Sequence, residues 1–139
     1  MSGAEIIGLD STSRARPDEP LAELFDLIKS ELNCRVFADV SSLAEGLAAQ
    51  AMGADFVATT LSGYTEETKA KCAEPDFELV EALVKHGKAP VFAEGRFKTP
   101  DQVQAALDLG AAGVVIGTAI TNPREITRRF VCGLQRTSP

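Results

Sequence analysis

Two short stretches carry residue types and spacings that could do chemistry, Val91-Phe92-Ala93-Glu94-Gly95-Arg96 and Val114-Val115-Ile116-Gly117-Thr118. Each is a β-branched or aromatic run that stops at glycine and is followed by a helical pattern. In a fold of alternating strands and helices, glycine-ended strand tips are where backbone amides and helix N-termini grip an anion. Glu94 adds a carboxyl to one tip, so the pair predicts a phosphate grip with an acid beside it. That combination suits chemistry on a small phosphorylated molecule. An acid ending an apolar run must be satisfied or functional, because an unpaired buried carboxylate is costly. Glu94 could also cap the following helix or pair with Arg96. Asp39, near the end of the run Arg35 to Val40, and Asp10, at the end of the run Gly3 to Asp10, share this logic, although Asp10 opens Asp10-Ser11-Thr12-Ser13 and could close a turn through its own side chain. Tyr64, the sole tyrosine, stands on a glycine-containing loop where it either covers a ligand or packs.

The elements that must position these residues repeat one design. Gly3-Ala4, Gly53-Ala54 and Gly110-Ala111 each precede a mainly apolar run, the punctuation of a helix cap followed by a strand. With Arg35–Val40 and Pro90–Glu94 this makes five strands, apolar on consecutive positions and therefore expected to be parallel and buried on both faces. Helical stripes run between them: Leu21, Leu24, Phe25, Ile28 and Leu32; Leu43, Leu47 and Ala51; Phe77, Val80, Leu83 and Val84; Val103, Ala106 and Leu107 behind Thr99-Pro100-Asp101; and Ile126, Phe130 and Leu134. The pattern predicts five strands and five helices in strict alternation. A doubly wound, flavodoxin-like sheet and part of a barrel both accept it, since a complete eight-stranded barrel needs about 250 residues. Gly3 has the form of a helix cap with no helix before it, which reads as a start in mid-fold.

Composition narrows the function. At 139 residues, 45% hydrophobic and 24% charged, the chain is expected to form one domain. A net charge of −6 without a basic block disfavours nucleic acid and anionic membrane as partners. Apolar runs far shorter than about 18 residues and the lack of a charged-then-apolar leader predict no membrane span and a cytoplasmic protein. Cys34, Cys72 and Cys132 match neither a disulfide framework nor a zinc site and are expected to be reduced. His86, at a helix C-terminus, is expected to be structural. Arg14 and Arg16 flank a proline-bearing loop and are expected to be solvated. The Glu66-Glu67-Thr68-Lys69-Ala70-Lys71 run reads as an exposed loop with the character of a lid.

Taken together, Gly3 to Thr12 with Arg14-Ala15-Arg16-Pro17, Ala38-Asp39-Val40-Ser41, Thr59-Thr60-Leu61-Ser62-Gly63-Tyr64-Thr65, Ala93-Glu94-Gly95-Arg96 with Thr99-Pro100, and Gly117-Thr118-Ala119-Ile120-Thr121 closely resemble the N-acetylmannosamine-6-phosphate 2-epimerase family. The Thr59 to Thr65 run is the most specific of these. The resemblance covers almost the whole chain and the C-terminal five of the family's eight βα units. It implies an α/β fold of the (β/α)8 TIM-barrel type, here a phosphate-binding partial barrel of about five βα units lacking strands 1–3, as one domain over residues 1–139.

The resemblance implies interconversion of N-acetylmannosamine 6-phosphate and N-acetylglucosamine 6-phosphate, in sialic acid salvage, by removing and returning the proton at C2. Such chemistry needs a base on one face of the carbon, an acid on the other and stabilisation of an enolate-like intermediate, with no cofactor and no metal. By similarity, Glu94 is the catalytic carboxylate and Asp39 an acidic residue that positions the sugar. Gly95, Arg96, Gly117 and Thr118 would hold the phosphate of an N-acetylhexosamine 6-phosphate, with Asp10 and Tyr64 beside the substrate. The family's catalytic lysine lies on the third strand, ahead of Met1. None of Lys29, Lys69, Lys71, Lys85, Lys88 and Lys98 is placed to replace it, so little or no activity is expected of the isolated chain. Asn122 stands where many relatives have arginine, and with Arg124 two residues on it is left outside the core site. Two other readings stay open. One is a phosphosugar-binding protein without catalysis, whose free sheet edges at 5–10 and 113–117 would favour a homodimer. The other is a phosphate-binding barrel enzyme of thiamine, tryptophan or histidine synthesis, against which the Thr59 to Thr65 run argues.

Overall fold

Hydroxyl and glycine punctuation sets the boundaries of most elements. In the computed structural model, which describes residues 3–69 and 74–134, the strands are β1 (Ile6–Asp10), β2 (Arg35–Asp39), β3 (Phe56–Ala58), β4 (Val91–Glu94) and β5 (Gly113–Val115). Helix α1 (Leu21–Asp26) runs into a π-helical turn over Leu27–Glu31, and α2 (Leu43–Ala51), α3 (Phe77–His86) and α4 (Pro100–Asp108) follow. Thr99 caps α4 with a reciprocal pair of bonds to Gln102, and Pro100 occupies the first turn, where its missing N–H is not needed. Gly53 and Gly110, at φ +98° and +96°, end α2 and α4 in the left-handed conformation that their positions before strands predict.

All strand pairs are parallel, and the sheet runs β1-β2-β3-β4-β5 in chain order. This order has no point at which the winding reverses, so the doubly wound alternative is excluded. Right-handed connections between sequential parallel strands put the helices on one face. Val36, Ala38, Val57 and Val91 point to that face and pack with Phe25 and Ile28, Ala49, Leu79 and Leu83. A second cluster joins Ala93, Val80, Phe97, Ala106 and Ala111. On α2, Gly46 admits Leu83 so closely that an added Cβ would stand 2.3 Å from its Cδ2.

The opposite face corrects an expectation. It carries Phe37, Phe56 and Phe92, with ring centroids 5.2 to 6.0 Å apart, half-buried and outside both helix-packed clusters. The strands are therefore not buried on both faces among the described residues. β1 alternates between exposed and half-buried positions, and β1 and β5 form the sheet's edges. Consecutive apolar residues mark an apolar surface on each face, and only one of those surfaces is covered here.

Four helical stripes also differ from expectation; on α4, Ala106 is buried but Leu107, the next residue and about 100° round the helix, is exposed. On α2 the buried positions are Gly46 and Ala49, whereas Leu47 and Ala51 are exposed, because small residues are what the close approach of α3 accepts. Leu32 is exposed because the wider π turn before it rotates it off the buried face. After β5 the alternation breaks: a short α5 (Thr118–Thr121) is followed directly by α6 (Pro123–Gly133), giving six helices among the described residues. On α6 and just beyond it Phe130 and Leu134 are 75% and 73% exposed. Cys72 and Lys71 lie outside the described residues; Cys34 is half-buried and Cys132 exposed, both as thiols. No described helix is long and apolar enough to cross a membrane.

Candidate functional site

The carboxyl ends of β2, β3 and β4 bring together groups that are far apart in the chain. Asp39 ends β2 on the helix-free face, where Gly8 of the neighbouring strand leaves room for its carboxyl, 3.9 Å from where a Cβ would stand. Two residues past β3, Thr60 Oγ1 lies 2.6 Å from Asp39 Oδ1 and 3.1 Å from Oε2 of Glu94 at the end of β4. The preceding Thr59, fully buried, fixes the Glu94 backbone: its hydroxyl donates to Glu94 O at 2.9 Å and accepts from Glu94 N at 3.0 Å. The adjacent threonines thus hold Glu94 by main chain and side chain respectively. Burial pushes the Asp39 carboxyl above the ordinary range, with the Asp10 charge adding to it and the Thr60 bond opposing. Burial does the same to Glu94, with the Asp39 charge adding to it.

Beside Glu94 opens a cavity of about 500 Å3 that also takes in Gly95, Arg96, Gly117, Thr118 and Tyr64. Gly95 and Arg96 both have positive φ, +107° and +63°, which bends the chain sharply where β4 ends beside the cavity. Across the cavity Gly117 caps α5, whose first amides have no partner within the helix. Lys98, Arg128 and Arg129 make this wall basic. Arg129 is tied to Ala119 O at 2.7 Å, and Arg128 to Glu125 at 2.8 Å. The cavity therefore places a carboxyl raised in pKa beside amides and cations that suit an anion, a setting for general acid–base work on a small anionic molecule.

Six of the eight residues singled out from the sequence, Glu94, Gly95, Arg96, Gly117, Thr118 and Tyr64, line this cavity, and Asp39 reaches it through Thr60. The Arg96 side chain clamps the loop after β3, donating to Ser62 O at 2.6 Å and Glu74 O at 2.7 Å. Tyr64, 60% exposed, stacks 5.3 Å from the Arg96 guanidinium. Asp10 is not brought to the cavity. It accepts from Thr12 N and Oγ1 at 3.0 and 2.6 Å and pairs with Arg14 and Arg16, which closes its own loop. Partial burial raises its carboxyl, but the bonds from Thr12 and the Arg14 charge outweigh it and hold the net value below the usual range. Arg14 and Arg16, expected to be solvated, thus serve that loop.

Sequence reasoning missed three residues. Thr60 sat unremarked inside the most specific motif. Glu45 gathers Ser13 and Ser41 through their amides and hydroxyls, tying the loops after β1 and β2 together; the Ser42-x-x-Glu45 spacing of a capping box was its signal. Lys98, set aside as misplaced, lines the cavity from the loop after β4. Asn122 caps α6, accepting from Glu125 N at 3.2 Å, which is consistent with leaving it outside the site. His86 lies in the last turn of α3, as expected, on a second depression with Asp55 and Lys88.

A family model described as "Putative N-acetylmannosamine-6-phosphate epimerase" matches residues 1–136. Proteins of Cutibacterium acnes and Clostridium perfringens, both named "Putative N-acetylmannosamine-6-phosphate 2-epimerase", are 50% and 49% identical over 132 and 127 residues, covering 93% and 91% of this chain and 57% of each relative. The structure is similar to that of the N-acetylmannosamine-6-phosphate 2-epimerase from Clostridium perfringens, with a TM-score of 0.86 and 48% identity over 94% of this chain and 56% of that one. A thiamine phosphate pyrophosphorylase from Pyrococcus furiosus, 22% identical with a TM-score of 0.58 over 91% of this chain and 56% of that one, shares the fold alone. The chain spans a little over half the length of these epimerases and belongs to the N-acetylmannosamine-6-phosphate epimerase family, a family of carbohydrate epimerases.

Proposed function

We propose that this chain provides the acid and the phosphate grip of a site that epimerises N-acetylmannosamine 6-phosphate at C2, giving N-acetylglucosamine 6-phosphate. The observation that carries the reading is the single cavity in which Glu94 faces the Gly95–Arg96 and Gly117–Thr118 backbones. With the phosphate seated on those amides, the sugar ring extends toward the strand tips, where Glu94 exchanges a proton with C2 and Asp39 orients a hydroxyl or amide of the sugar. Proton exchange at one carbon with inversion needs a second group on the opposite face. In this reading that group is a lysine of an earlier strand, supplied from outside these 139 residues. The five βα units are accordingly part of a (β/α)8 barrel, whose interior side is the face bearing Phe37, Phe56 and Phe92. By themselves they bind the phosphosugar and exchange its C2 proton slowly or not at all.

The test is deuterium incorporation from solvent at C2 of N-acetylmannosamine 6-phosphate, with binding followed by calorimetry. Exchange that disappears in Glu94→Gln while binding persists supports the enzyme reading. Binding with no exchange, in the chain alone and in the chain combined with an N-terminal segment of a relative, supports a phosphosugar-binding protein instead. No binding of either phosphosugar refutes the site.

A further inference from the structure

Thr60 carries a constraint that neither carboxylate carries alone. A threonine hydroxyl has one proton and two lone pairs, so it can donate to Asp39 or to Glu94 but not to both. Its contacts are unequal. The 2.6 Å separation from Asp39 Oδ1 is that of a hydroxyl donating to a charged carboxylate, whereas the 3.1 Å separation from Glu94 Oε2 is longer. With the Thr60 proton committed to Asp39, an ionised Glu94 would set its lone pairs against those of Oγ1. A protonated Glu94 donates to the same oxygen and completes the chain. Asp is also intrinsically the stronger acid of the two side chains.

We infer that Thr60 is a positioning residue that links Asp39 and Glu94 into one proton-sharing unit, in which Asp39 is the ionised member and Glu94 holds the proton on the oxygen that meets Thr60 Oγ1. This rests on Glu94 being the proton-handling group of the proposed site. In the direction where Glu94 acts as acid, the proton passes to the electron pair on the enolate carbon and Glu94 becomes a carboxylate. In reverse, Glu94 takes the proton from carbon and the pair of electrons stays with the sugar.

The surrounding charges act on each member of the unit. From β1, Asp10 faces Asp39 but is paired with Arg14 and Arg16, so its negative charge is largely compensated. On the Glu94 side the Asp39 charge favours the protonated form, while the cations that line the cavity, Lys98 on the loop after β4 and, from α6, Arg129 and the Glu125-paired Arg128, favour the ionised one. Burial raises both members, and the Asp39 charge raises Glu94 further.

Carboxyl 13C NMR of the full chain, titrated through the acidic and neutral range, reads the two midpoints separately. In the native chain the Glu94 midpoint lies above that of Asp39. In Thr60→Val the Asp39 midpoint rises by about one pH unit through loss of its charged hydrogen bond, Glu94 stays or falls, and Thr60→Ser restores the native values. Asp39→Asn, which does not depend on the valine variant folding, lowers the Glu94 midpoint because it removes a facing charge and frees the Thr60 proton. The inference is overturned if Thr60→Val raises Glu94 by as much as Asp39, if it moves neither, or if Asp39→Asn leaves Glu94 unchanged. Phosphosugar binding and C2 deuterium exchange measured on the same samples keep the two readings apart. Shifted midpoints in a chain that binds no phosphosugar refute the function and leave the pair standing, while unshifted midpoints in a chain that binds refute only the pair.

Discussion

Replacing Gly95 by alanine isolates the backbone geometry on which the anion grip depends. Gly95 has φ +107°, a region that an L-residue enters at a cost of about 1–2 kcal/mol. An added Cβ would meet only the Thr59 and Thr60 carbonyl oxygens at 3.9 Å, an ordinary contact, so no steric term is added and the whole penalty is conformational. The expected loss of stability is about 1–2 kcal/mol, a drop of roughly 3–8 °C in thermal midpoint for a chain of this size. Gly133 is the control: it closes α6 with nothing within 4 Å of a Cβ, and alanine there is neutral or stabilises by up to about 1 kcal/mol. Urea unfolding followed by circular dichroism measures both. In the same variant the Gly95–Arg96 peptide relaxes away from its left-handed pose, so inorganic phosphate binds up to about tenfold more weakly, the equivalent of about 1.4 kcal/mol. A Gly95→Ala chain with native stability and native phosphate affinity would refute the reasoning, since it would show that the left-handed turn neither constrains the residue nor presents the amides.

Two further outcomes follow from the same geometry. Asp39 and Glu94 hold protons more tightly in the folded chain than when unfolded, so their contribution to stability is greatest below the ordinary carboxylate range and falls as pH rises through it, opposite in sign to Asp10, Glu45 and Asp55, whose lowered values make their contribution fade as pH falls. The double variant Asp39→Asn/Glu94→Gln is therefore expected to have a higher urea midpoint than the native chain at pH 7, a difference that closes toward about pH 4, and equal midpoints at pH 7 would contradict it. Asn122→Ala removes the cap of α6 and is expected to cost about 1 kcal/mol in urea unfolding while leaving phosphosugar affinity, measured by calorimetry, unchanged.

Much of the fold was legible because its signals are local. The Thr99-Pro100 start of α4, the left-handed glycines at 53 and 110 and the five apolar strands all arise from conformational preferences of a residue and its near neighbours. Amphipathic stripes were less reliable where contact between elements decides burial. Gly46 and Ala49, not Leu47, face inward on α2 because α3 approaches too closely for a larger side chain. The exposure of Phe130, and of the face bearing Phe37, Phe56 and Phe92, could not be read from the sequence, since hydrophobicity marks a surface that seeks cover without saying what covers it.

For the candidate site the division is similar. That Glu94, Asp39 and the glycines at 95 and 117 stand at or just past strand ends is written in the residue order, because a short apolar run that stops at an acid or a glycine has few other ways to fold. Only the tertiary structure decided which of them meet. Parallel pairing brings residues 39 and 60, 21 apart in the chain, and residues 60 and 94, 34 apart, within hydrogen-bond distance, and it leaves Asp10 closed in its own loop with Thr12 and Arg14. Strand register is a property of long-range pairing across the sheet and not of local sequence. For that reason Thr60, which has no chemistry of its own to announce it, became visible only once β3 lay between β2 and β4.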